Sequence, residues 1–101
     1  MRIKRVEFTL HRPEKAKQRI NIRDVRRIFP GDKVQFTIRA DNTDSTTDVY
    51  EPTIGENWDD IDHFHLRKWF DKNPNLKPEV TKLAIEVVTE KKEYNLKIIS
   101  N

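Results

Sequence analysis

Cysteine is absent from this chain of 101 residues, which excludes disulfides and thiolate metal sites. A reducing compartment fits. Glycine occurs only twice, so no glycine-rich phosphate loop is present. No apolar run approaches the roughly 20 residues of a membrane span. Met1-Arg2-Ile3-Lys4-Arg5 lacks the apolar stretch of a signal peptide. A soluble, cytoplasmic protein without membrane contact is therefore expected. One absence is local: residues 40–62 contain no Lys or Arg.

What is present is charge, at 37% of residues against 35% hydrophobic. The net charge of +3 hides a segregation. Residues 1–39 hold twelve Lys/Arg and four acids, whereas residues 40–62 hold eight acids. A basic half points to a polyanionic partner, and the acidic block makes such a surface one-sided. The length predicts one domain spanning 1–101. Such a chain buries about two-thirds of its unfolded surface, enough for one core. Its apolar residues are tightly patterned, which argues against disorder.

One phrase occurs twice. Val25-Arg26-Arg27-Ile28-Phe29 and Leu66-Arg67-Lys68-Trp69-Phe70 share an apolar, basic, basic, apolar, apolar order. On a helix, Val25, Ile28 and Phe29 fall on one face, as do Leu66, Trp69 and Phe70. Short strand-like runs precede both copies, and a turn followed by an alternating strand comes after each. The two triads are expected to plug the two ends of one barrel.

Along the chain, residues 3–10 alternate as a strand. Residues 11–19 have Ala16 as their sole apolar side chain and read as a basic loop. A short strand covers 20–22. Asp24 caps a helical turn over 25–29, which Pro30 stops. Residues 33–39 form a strand, and Asp41-Asn42-Thr43-Asp44 turns it back through 46–50. Residues 51–62 read as a long acidic loop. A strand enters the second helix, 67–72, which Asn73-Pro74-Asn75 ends. Strands over 80–88 and from Tyr94 close the chain. About seven strands with regularly spaced turns predict a mainly β (α+β) domain, a small barrel or sandwich.

This order resembles the DNA-binding pseudobarrel, the fold of plant B-three transcription-factor domains and of recognition domains of some restriction endonucleases. The resemblance rests on Ile22 to Pro30, with its Phe29-Pro30 helix end, and on Leu66 to Pro78, with Trp69 and Asn75-Leu76. Pro78-Glu79 stands where the family has Gly-Asp; Gly31-Asp32 follows the first helix instead. The resemblance implies a seven-stranded open pseudobarrel with two short helices and an internal pseudo-twofold repeat. It also implies that two loops, 11–19 and 50–62, grip duplex DNA.

The first of these supplies His11, Arg12, Lys15, Lys17, Gln18 and Arg19. Lys and Arg neutralise phosphates, and Arg and Gln pair with purine edges in the major groove. The plain alternative is a solvated basic loop. The second supplies Tyr50, Thr53, Asn57 and Trp58. Trp58 either stacks on a base or caps the barrel as an outlying core residue. The acids beside it either read cytosine amino groups or form a solvated, DNA-repelling rim that orients binding, and the rim is the plainer reading. Asp59, Asp60, Asp62, His63 and His65 are the best metal-like cluster, but no third histidine stands at a regular spacing. Arg26, Arg27, Arg67 and Lys68 lie off their apolar faces and by default cover the surface.

The expected function is non-catalytic binding of double-stranded DNA in the major groove, by a monomer without cofactor or metal. Two alternatives stand beside it. One is a protein-interaction module that docks a basic partner through the acidic loop, within a larger assembly. The other is a small metal-dependent hydrolase built on Asp59 to His65.

Overall fold

Strict alternation builds the central strands. Phe36, Ile38 and Ala40 are buried while Gln35 and Arg39 are exposed. Tyr94 and Leu96 repeat the pattern on a later strand, whereas Leu83, Ala84 and Ile85 are buried in succession on the strand beside it. The computed structural model describes residues 5–21, 35–54, 63–89 and 92–101. Among these, seven strands and two helices follow in order: β1 (Arg5–Thr9), α1 (Arg12–Lys17), β2 (Arg19–Asn21), β3 (Thr37–Asp41), β4 (Thr47–Tyr50), β5 (His63–His65), α2 (Arg67–Lys72), β6 (Lys82–Thr89) and β7 (Glu93–Ser100).

Five strands form one sheet in the order β1-β6-β7-β3-β4, and β2 pairs with β5 in a separate ribbon. All pairings are antiparallel except β3 with β7. Exchange β1 with β4, β2 with β5 and β3 with β6, and the order of the sheet simply reverses. The ribbon maps onto itself, and β7 sits at the centre. The internal repeat is therefore written in the strand pairing. The strands do not close into a barrel: β1 and β4 are the outer strands of the sheet. The second triad therefore plugs no barrel end. Leu66, Trp69 and Phe70 instead join the single core cluster with Ile38, Leu83 and Leu96.

Aromatic edges tie the ribbon to the sheet. Phe36 meets Phe64 of β5 at 5.0 Å and Tyr94 of β7 at 5.3 Å, both edge-on. Such pairs add about 0.5–1.5 kcal/mol each beyond burial. Helix α2 covers the expected residues, and its burial of Trp69 and Phe70 explains why. Trp69 Nε1 donates to Asp41 O at 2.9 Å. Just beyond the helix, buried Asn73 donates to Asn42 Oδ1 at 2.9 Å and accepts from Thr43 N at 2.8 Å. The helix end is thus stitched to the β3–β4 hairpin, whose turn lies where the Asp/Asn/Thr run predicts it.

The first helix is a correction. Residues 12–17 form α1, not a loop. Pro13 presets helical φ in the first turn. Glu14 Oε1 accepts from His11 N at 2.8 Å, three residues back, as in a capping box. Gln18 closes the helix in the left-handed region, at φ 53°. The predicted turn of helix over 25–29, with Val25, Ile28 and Phe29, lies outside the described residues.

Candidate nucleic-acid interface

The two halves of the repeat meet at the β2–β5 ribbon. Its register sets Arg19 opposite His65 and Ile20 opposite Phe64. Ile20 and Phe64 are fully buried, so alternation sends Arg19 and His65 to the outer face. Leu66 N donates to Gln18 O at 3.1 Å, which brings the end of α1 to the start of α2. Lys17, the last residue of α1, and Arg67 and Lys68, the first of α2, are all exposed there. Among the described residues, Lys17, Arg19, Arg67 and Lys68 make no ion pair. Clustered cations that no described acid pairs favour a polyanionic partner.

Beside them lies an open pocket of about 300 Å³, between Tyr50-Glu51-Pro52-Thr53 and His65-Leu66-Arg67-Lys68. The chain fixes its first wall. Phe36 N donates to Pro52 O at 3.1 Å, Gln35 Nε2 donates to Glu51 O at 3.3 Å, and Gln35 bridges to Thr53. The second wall is fixed by the Leu66 N bond to Gln18 and by α2. Burial pushes the Tyr50 phenol above its usual 10.0, and the Asp48 charge adds to the effect. A phenol keeps its proton at neutral pH, shifted or not, so the hydroxyl is a donor there.

The predicted site residues separate into groups. Arg19, Tyr50 and Thr53 come to the ribbon and pocket, and Lys17 stands exposed next to them. Three others use their side chains inside the fold, and Arg12 uses its backbone N–H. Lys15 Nζ donates to Pro74 O at 3.0 Å and Leu76 O at 2.6 Å. Gln18 Nε2 donates to Asp71. His11 Nδ1 lies 3.4 Å from Glu79 Oε2, and Arg12 N donates to Glu79 Oε1 at 3.1 Å. That backbone bond is the main reason the Glu79 carboxyl sits below its usual 4.5. Asn57, Trp58, Arg26, Arg27, Asp59, Asp60 and Asp62, and the side chain of His63, lie outside the described residues. Among the described residues, no group of three His, Asp or Glu is placed to hold a metal ion.

Sequence reasoning missed two residues that organise this region. Glu14 is only 2% exposed, and its Oε2 accepts from Asn21 N at 2.7 Å. The His11-to-Glu14 spacing was the available signal. Glu79 adopts left-handed φ, at 66°, and anchors the start of α1 from 67 residues away, which no local pattern reveals. Among the described residues, no helix is long and apolar enough to cross a membrane. Compared with protein-family models, with curated proteins and with solved structures, the chain matches none.

Proposed function

We propose that this domain binds double-stranded DNA without catalysing a reaction on it. One observation carries the reading: four cations without ion pairs among the described residues, Lys17, Arg19, Arg67 and Lys68, border the β2–β5 ribbon and its pocket. Long cations of this kind neutralise phosphates and release counter-ions. Tyr50 and Thr53 offer hydroxyls beside them for base edges in the major groove. The resemblance to the DNA-binding pseudobarrel supports the same reading, and so does the mainly β fold with its pairwise repeat. The acidic residues of 40–62 then act as a repelling rim that restricts DNA to the basic side.

The test is a titration against a random duplex pool at two salt concentrations. Binding by all four cations gives a slope of roughly −3 to −4 in log affinity against log salt. The double variant Arg19→Glu, Arg67→Glu loses most of the affinity. Parental affinity in that variant, or no binding at low salt, overturns the proposal.

A further inference from the structure

We infer that the pocket between residues 50–53 and 65–68 holds one unstacked nucleobase, with that nucleotide's phosphate at Arg67 and Lys68. The inference rests on the DNA-binding reading and narrows it. About 300 Å³ is the low end of small-molecule pockets, a size for one flat heterocycle rather than a large ligand. Leu66 and Pro52 supply apolar surface, and Tyr50 supplies an aromatic ring for stacking. Thr53 and Tyr50 line the same space, and their hydroxyls can meet the polar edge of a base. The two cations belong to the 65–68 wall alone. Glu51 on the other wall disfavours a phosphate there and accepts from an exocyclic amino group.

Both walls are tied down by backbone hydrogen bonds, so little ordering is required on binding. A second open pocket, about 320 Å³, is lined by Gln35, Phe36, Thr37, Glu51 and Lys92. It has one cation offset by one acid, and does not combine a phosphate site with a base site.

An unstacked base has three sources: a nucleotide extruded from a duplex, a single strand, or a free mononucleotide. The experiment separates them by fluorescence anisotropy. A matched duplex is compared with the same duplex carrying one bulged cytosine, and with the same bulge made abasic. The corresponding single strand and cytidine monophosphate serve as competitors. A bulged base has already been unpaired, so the bulged duplex should bind about tenfold tighter than the matched one. The abasic bulge should lose that gain.

The readout is the ratio of bulged to abasic affinity, which general phosphate contacts do not move. Tyr50→Ala should bring the ratio to about one. Thr53→Arg, which fills the pocket from a partly buried position on its wall, does the same should Tyr50→Ala fail to fold. Equal affinity for all three duplexes overturns the inference and leaves duplex binding standing. Absence of duplex binding, with single strand or cytidine monophosphate bound and then lost in Thr53→Arg, overturns duplex binding and keeps the pocket. Absence of binding to every probe overturns both.

Discussion

The Glu14 carboxylate accepts the backbone N–H of Asn21 at 2.7 Å, across the turn that ends its own helix. Its other oxygen accepts from His11 N, at the helix start. A single buried side chain thus holds both ends of α1 and fastens it to the ribbon. Glu14→Ala removes a cap and leaves a backbone amide without its acceptor. The expected loss is about 2–3 kcal/mol, measured as a shift in the urea midpoint. Glu14→Gln keeps one acceptor oxygen and should recover part of it. An unchanged midpoint in Glu14→Ala would remove this role.

Asn73 and Asn42 form a second internal joint. Asn73 Nδ2 donates to Asn42 Oδ1, and Asn42 Nδ2 donates to Asp48 Oδ2 at 2.9 Å. Both residues are buried. Asn73→Ala should cost about 1–3 kcal/mol, because Thr43 N and Asn42 Oδ1 lose their partner. A double-mutant cycle with Asn42→Ala should return a coupling of about 1 kcal/mol. Strict additivity counts against the joint.

Two lysines of α1 should behave oppositely. Lys15 is bonded to the carbonyls of Pro74 and Leu76, whereas Lys17 is exposed. Lys15→Ala is expected to lower the unfolding midpoint by about 1 kcal/mol, as hydrogen bonds to a charged group are lost. Lys17→Ala should leave stability within about 0.5 kcal/mol. It should also lower duplex affinity at all sequences and reduce the salt slope by about 1. The reverse ordering in melting and titration experiments would refute this division of labour.

The acid limb of stability should report the Asp48–Lys72 pair. The Lys72 ammonium, 2.7 Å away, is the main cause holding the Asp48 carboxyl below its usual 3.8, and Asn42 adds to it. A carboxyl lowered on folding stabilises the native state above its unfolded value. That contribution is lost as pH falls below 3.8 and through the folded value. Asp48→Asn should therefore flatten the decline in midpoint below about pH 4, with little change in its slope near neutrality. An identical acid limb in the two proteins rules the pair out.

The alternating runs of β3 and β7, the apolar strand β6 and the apolar triad Leu66, Trp69, Phe70 were legible in the sequence. Periods of 2 and 3.6 are local signals, and a half-buried element has to obey them. The repeat was legible for the same reason, and the strand pairing extends it to β1 and β4. Helix α1 was not legible. Its buried anchor is a carboxylate, so it carries no apolar period and resembles a basic loop. Nor could the sequence separate the cations into employed and unemployed. Lys15 finds its acceptors 59 and 61 residues away, and Glu79 reaches the backbone N–H of Arg12 over 67. Local composition determined that this chain is a charged, mainly β domain with a basic first half. Only the tertiary structure decided which of those charges are spent on the fold and which border the ribbon, because that depends on long-range partners that no spacing encodes.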